Sequence, residues 1–77
     1  MTNLQQEIQQ RLDDMGVQPL VGGLIPEPCA AELLGYAPSY LRRLAAAGMS
    51  PVGFVRRGNR RFYKLDDIRL FITKTVQ

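Results

Sequence analysis

The stretch from Val55 to Leu65 reads VRRGNRRFYKL and carries the side chains whose chemistry is easiest to interpret. Five basic residues surround a central Gly-Asn pair, and two aromatic residues follow. Guanidinium groups bind phosphates and carboxylates through paired hydrogen bonds, so such a cluster suits an anionic partner. The basic residues are Arg56, Arg57, Arg60, Arg61 and Lys64.

Charge is distributed unevenly along this chain of 77 residues, whose formal net charge is +3. Residues 36–64 contain seven basic residues and no acidic residue, whereas residues 1–35 contain one basic and five acidic residues. A basic segment in a chain with acidic residues elsewhere is the electrostatic pattern of a protein that binds a polyanion. The alternative is a solvated basic face that serves solubility alone.

The remaining composition argues against catalysis and metal binding. The chain has no histidine, its carboxylates are scattered, and its single cysteine, Cys29, has no evident base beside it. We therefore expect no enzyme activity, no catalytic residue, no metal site and no cofactor. A lone cysteine in an apolar helix is typically a small buried side chain.

The length allows one small domain, which would bury only about 60–65% of its unfolded surface. Glycine and proline interrupt the uncharged stretch 15–26, so no segment is suited to crossing a membrane. The N-terminus also lacks the pattern of a signal peptide. These features predict a soluble, cytoplasmic protein without a membrane partner.

A change of periodicity places the basic cluster on a β-hairpin. Residues 54–57 and 60–63 follow a period of two, and the Gly-Asn pair between them fits a type II′ turn. Directly opposed arginines repel one another, and a phosphate backbone alongside would relieve that repulsion. The predicted register pairs Phe54 with Tyr63, Val55 with Phe62, Arg56 with Arg61 and Arg57 with Arg60.

The apolar base of this hairpin can anchor it to the core. Phe54, Val55 and Phe62 are suited to packing there, since their side chains are large and apolar. For Tyr63 two alternatives remain open, because its hydroxyl group could instead reach a phosphate.

Two short helices precede the hairpin, at residues 28–34 and 38–47. Each has a proline near its start and a glycine after its end, and a short turn joins them as in a helix-turn-helix. The inward face of the first is predicted to be Ala30, Leu33 and Leu34. The second directs Leu41, Leu44 and Ala45 inward, so its outer face presents Ser39, Tyr40, Arg42 and Arg43.

Segments on either side complete the predicted architecture. Residues 1–16 form an amphipathic helix, whose apolar stripe either packs on its own domain or mediates self-association. Residues 17–26 form an extended linker in which Leu20, Val21, Leu24 or Ile25 reaches the core. A closing helix begins at residue 65, with Ile68, Phe71 and Ile72 on its apolar face.

The patterns CAAELLGYAPSYLRRLAAAG and VGFVRRGNRRFYKLDDIRLFI resemble the winged helix-turn-helix of MerR-type DNA-binding domains. Within that superfamily they are most similar to the small excisionase and AlpA-like regulators of phages and mobile elements. The resemblance covers about residues 27–72. It implies a mostly α fold with a small β-hairpin, in which a winged helix-turn-helix domain, residues 27–77, follows the N-terminal helix and linker.

The resemblance also implies a function. A recognition helix at 38–47 would enter the major groove of double-stranded DNA, and a wing at 54–64 would follow the backbone. We expect a sequence-preferring DNA-binding protein of a bacterial or phage-infected cell, found at the nucleoid. It would act as an excisionase (a recombination directionality factor) or a transcriptional regulator. Its partners would be further copies of itself on DNA and a recombinase or another regulator.

The residues expected to contact DNA fall into three groups. Those on the recognition helix are Ser39, Tyr40, Arg42 and Arg43. Those on the wing are Arg56, Arg57, Asn59, Arg60, Arg61 and Lys64. Candidates for additional contacts are Tyr36 and Tyr63.

Two departures from the family pattern bear on these expectations. Ala37 stands where the family has a Ser or Thr helix cap. The chain also ends soon after the closing helix, so the dimerising coil and effector domain of full MerR regulators are not expected. The alternative function is a small interaction protein of a phage or mobile element, an anti-repressor or inhibitor, that binds another protein with the same fold. RNA binding is a lesser variant.

Overall fold

Helices and one small sheet make up residues 3–75, which the computed structural model describes. Within this range the chain forms α1 (Leu4–Met15), β1 (Leu24–Pro26), α2 (Glu27–Leu34), α3 (Pro38–Ala46), β2 (Phe54–Arg57), β3 (Arg60–Lys64) and α4 (Leu65–Thr75). The strands form an antiparallel sheet in the order β1-β3-β2. A mostly helical architecture with a β-hairpin is thus confirmed, with one further strand. None of these helices is both long and apolar enough to cross a membrane.

Helix α1 is delimited by residues that cap its ends. The Asn3 side chain accepts a hydrogen bond from the Gln6 N–H at 2.8 Å, and the Gln6 side chain accepts one from the Asn3 N–H at 3.3 Å. This capping box satisfies donors that a helix start leaves free. Gly16 ends the helix at φ 68°, a left-handed conformation that suits glycine. Positions 1, 2, 76 and 77, which the sequence assigns to the first and last helices, lie outside the described residues.

The apolar stripe of α1 packs within its own chain. Ile8 and Leu12 are 8% and 1% exposed, and Leu4 and Met15 pack partly buried against the same core. Of the two alternatives for this stripe, the structure therefore shows intramolecular packing. The glutamines and aspartates of the opposite face are exposed.

The stretch predicted as an extended linker contains a strand. Leu24 and Ile25 are buried in β1, which pairs with β3, whereas Leu20 is 47% and Val21 97% exposed in the preceding turn. A strand of three residues is too short to show a period of two, and its closing proline argues against a strand in the sequence. Pro26 is tolerated because β1 is an edge strand.

Helix α2 contributes small side chains to the centre of the core. Cys29, Ala30 and Ala31 are buried, which confirms Ala30, but Leu33 and Leu34 are only half-buried against the core. Their predicted inward position is therefore only partly correct, because the C-terminal end of this helix borders a surface groove. The largest fully buried side chains come one each from the other five core elements: Leu12, Ile25, Leu41, Tyr63 and Ile68.

The thiol of Cys29 provides a test of this core. Burial, and secondarily the Glu32 carboxylate, raise the pKa of Cys29 above its ordinary value. In the unfolded chain the thiol loses its proton at pH ~8.5, whereas in the folded chain it keeps the proton to a higher pH. The free energy of unfolding is therefore unaffected by this group below that pH and decreases above it. We expect an aromatic disulfide reagent to modify Cys29 at pH 8 at least ~100-fold more slowly in the native protein than in denaturant. Equal rates in the two states would contradict the burial of Cys29.

Candidate nucleic-acid interface

The basic hairpin, residues 54–64, has the register that the sequence predicts. Arg57 lies opposite Arg60 and Arg56 opposite Arg61, in the antiparallel pairing of β2 with β3. Gly58 has φ 62°, and no described non-glycine residue has a positive φ, so the turn has the dihedral signs of type II′. Two pairs of like charges therefore face each other across a tight turn.

Alternation along the strands distributes these arginines over both faces of the sheet. Arg56 and Arg61 share a face with the buried Tyr63, whereas Arg57 and Arg60 share the other face with Phe62. Arg56, Arg57 and Arg60 are exposed, as are Asn59 in the turn and Lys64 at the end of β3. The hairpin thus presents positive charge in two directions.

Arg61 differs from the other hairpin arginines. Its Nη1 lies 3.5 Å from Oε2 of Glu27, and the two side chains are only 20% and 14% exposed. Its guanidinium also lies over the Phe54 ring, 5.7 Å from the ring centre. The repulsion between Arg56 and Arg61 is therefore offset within the protein by Glu27, where the sequence suggested only an external phosphate.

Tyr63, a candidate for an additional contact, has no accessible surface. Its hydroxyl group donates a hydrogen bond of 2.6 Å to Oε2 of Glu27. Burial, followed by this hydrogen bond, raises the pKa of the Tyr63 phenol above its ordinary value. Of the two alternatives for Tyr63, the structure shows core packing, and the hydroxyl group already has a partner in Glu27.

Glu27 is the residue of this site that sequence reasoning missed. It is the first residue of α2, directly after β1, and β1 pairs Ile25 with Tyr63 and Pro26 with Phe62. That pairing brings a carboxylate beside a hairpin that lies more than 30 residues further along the chain. Only recognition of β1 as a strand could have revealed this contact.

The outer face of α3, which comprises Ser39, Tyr40, Arg42 and Arg43, is exposed. Leu41 and Ala45 on the opposite side are 0% and 6% exposed, as the helical pattern predicts, whereas Leu44, which the pattern also directs inward, is only half-buried. Ala37 precedes the helix without a side-chain cap, and Pro38 occupies its first turn. Ala46 and Ala47 continue the exposed side with short side chains that allow a close approach to another surface.

Aromatic contacts orient one of the two α3 arginines. The Arg43 guanidinium lies 5.6 Å from the centre of the Tyr40 ring. The Tyr40 and Tyr36 rings are perpendicular, and their centres are 5.3 Å apart. Cation–π contacts of this kind restrict a side chain that would otherwise sample many rotamers. Tyr36, a further candidate contact, is half-buried and supports Tyr40.

One concavity lies away from the basic hairpin. It is a groove of about 700 Å³ that α1, the end of α2 and α4 enclose. Glu7, Arg11 and Glu32 supply its charged lining residues. Among the described residues, no three His, Cys, Asp or Glu side chains are grouped so that they could hold a metal ion.

No protein family, curated protein or solved structure matches this chain. The candidate interface is therefore defined by the charge and geometry of the chain's own residues.

Proposed function

We propose that the protein is a sequence-preferring double-stranded DNA-binding protein with the winged helix-turn-helix architecture of excisionase-like regulators. Helices α2 and α3 form the helix-turn-helix, α3 enters the major groove, and the basic hairpin is the wing on the adjacent backbone. The protein acts as a recombination directionality factor or a transcriptional regulator, together with a recombinase or another regulator.

One observation carries this proposal. Six of the seven basic residues between positions 36 and 64 are exposed, and Arg61 alone pairs with a carboxylate. The six lie on elements that follow one another along the chain, namely the outer face of α3 and the basic hairpin. A helix that reads bases beside a basic element that holds the backbone is a common division of labour in DNA recognition.

The salt dependence of binding tests the proposal directly. Four to six phosphate contacts predict a slope of roughly −3.5 to −5.5 for log affinity against log salt, at ~0.9 per phosphate. The measurement is a gel-shift or anisotropy titration of a duplex at several salt concentrations. An affinity for the duplex that does not change between low and moderate salt would contradict the proposal.

The size of α3 bears on stoichiometry. Its nine residues span only ~14 Å along the helix axis, so one copy reaches few base pairs. We therefore propose that two or more copies bind adjacent sites on DNA. Because Ile8 and Leu12 of α1 are buried in their own chain, contacts between copies use another surface.

Base preference is expected to depend on α3. Arginine binds guanine O6 and N7 bidentately, so Arg42→Ala or Arg43→Ala removes a contact that discriminates bases by ~1–3 kcal/mol. We expect either substitution to change the consensus in a selection of bound fragments from a random duplex pool. Substitution of Arg57 by alanine is the matched control, which should weaken binding to all sequences alike. Unchanged preferences in both α3 variants would assign base reading to another element.

A second candidate function is a small interaction protein of a phage or mobile element that binds another protein. The observation in its favour is the groove between α1, α2 and α4, whose charged lining includes Glu7 and Glu32. A stable stoichiometric protein complex without nucleic acid would favour this function. Nucleic acid that copurifies at low salt, seen as a raised 260/280 absorbance ratio, would favour DNA binding.

A further inference from the structure

One carboxylate, that of Glu27, links side chains of the wing to the first helix of the helix-turn-helix. We infer that Glu27 is a positioning residue that holds Arg61 and Tyr63 as the anchor of the wing, so that Arg61 sets the position of the wing and does not contact DNA. This inference rests on the proposed DNA-binding function and assigns roles within that site.

Two side chains of β3 converge on one oxygen atom of Glu27. Tyr63 donates a hydrogen bond of 2.6 Å to Oε2, and Nη1 of Arg61 forms an ion pair with the same oxygen at 3.5 Å. Phe54 of β2 completes the cluster, since its ring centre lies 5.5 Å from that of Tyr63 and 5.7 Å from the Arg61 guanidinium. Both wing strands therefore contribute to the anchor.

The carboxylate itself is held firmly. Glu27 is the first residue of α2, where the positive end of the helix dipole favours a negative charge. The backbone immediately before it, Ile25 and Pro26, lies opposite Tyr63 and Phe62 in the sheet. Glu27 is thus fixed by the element that starts the helix-turn-helix and by the strand that borders the wing.

Arg61 is not expected to leave Glu27 in order to bind a DNA phosphate. Both members of the pair are largely shielded from water, and removing one partner from such a pair leaves an uncompensated charge. Arg56, Arg57, Arg60 and Lys64 are exposed, so they remain available to DNA. The wing should therefore release counterions through four basic residues rather than five.

Neighbouring arginines of β3 provide a matched test. Arg60→Gln and Arg61→Gln each remove one positive charge from adjacent positions of the same strand. We expect Arg60→Gln to make the slope of log DNA affinity against log salt concentration shallower by ~0.9, because one phosphate contact is lost. We expect Arg61→Gln to leave the slope unchanged and to lower affinity about fivefold, the effect of one lost side-chain interaction. A slope that changes equally in the two variants would overturn the inference.

A measurement on the free protein separates this inference from DNA binding itself. Nitrogen-15 relaxation should show lower order parameters for the amides of residues 57–60 in Arg61→Gln and Glu27→Gln than in the wild type. Arg60→Gln should leave these order parameters unchanged. If Glu27→Gln does not fold, the comparison of Arg61→Gln with the wild type tests the inference. Order parameters for residues 57–60 that are the same in Arg61→Gln as in the wild type would overturn it. If the wild-type protein showed no salt-dependent DNA binding, the proposed function would be wrong. The relaxation data would still test whether Glu27 anchors the hairpin.

Discussion

Replacement of Arg57 and Arg60 together by glutamate is expected to reduce DNA affinity about 100-fold or more at constant salt, since two charge-assisted hydrogen bonds of ~1.5 kcal/mol each are lost. Both residues are exposed, lie directly opposite each other and share one face of the sheet. The slope of log affinity against log salt should become shallower by ~1.8, because two phosphate contacts disappear. The preferred bases should not change, since neither residue lies on α3.

The design of this variant separates binding from folding. Like charges remain opposite each other when both arginines become glutamates, so the hairpin experiences similar cross-strand repulsion. Circular dichroism and thermal unfolding should therefore resemble those of the wild type. The control is Arg11→Glu with Lys74→Glu, which changes net charge equally at exposed positions outside residues 36–64. If that control weakens binding as much as the hairpin variant does, net charge and not the wing determines affinity.

Local signals explain the features that the sequence predicts correctly. The Gly58-Asn59 turn fixes the hairpin register, because a two-residue loop allows only one pairing of the flanking strands. The predicted end of α1 at residue 16 is also correct, because Gly16 acts on backbone groups within one helical turn. Such features depend on neighbouring residues alone and need no knowledge of the fold.

Contacts between distant segments explain what the sequence did not predict. Arg61 has the same side chain as Arg56, Arg57 and Arg60, and the carboxylate of Glu27 and the ring of Phe54 distinguish it. That carboxylate reaches the hairpin through β1, a strand of three residues with no detectable periodicity. A charge count therefore overestimates by one arginine the number of hairpin guanidinium groups without a carboxylate partner.

Leu12→Ala is expected to lower the free energy of unfolding by ~3 kcal/mol, within the range for large-to-small substitutions in a core. Leu12 is 1% exposed and belongs to the same cluster as Ile25, Leu41 and Ile68. Since small domains are stable by only ~5–15 kcal/mol, this loss is a large fraction of the total. Urea unfolding followed by circular dichroism gives the free energy and its denaturant dependence.

Gln5→Ala is the matched control, because Gln5 lies on the same helix and is exposed. Its effect should stay within ~0.5 kcal/mol, as for surface substitutions generally. Equal stability of Leu12→Ala and Gln5→Ala would mean that α1 does not belong to the folding unit. If Leu12→Ala is destabilising as expected, then deletion of residues 1–16 should also destabilise α2, α3 and the hairpin, because it removes both Ile8 and Leu12 from the shared core. The contribution of α1 to assembly on DNA must then be tested with substitutions on its exposed face, such as Gln9→Ala, which leave the core intact.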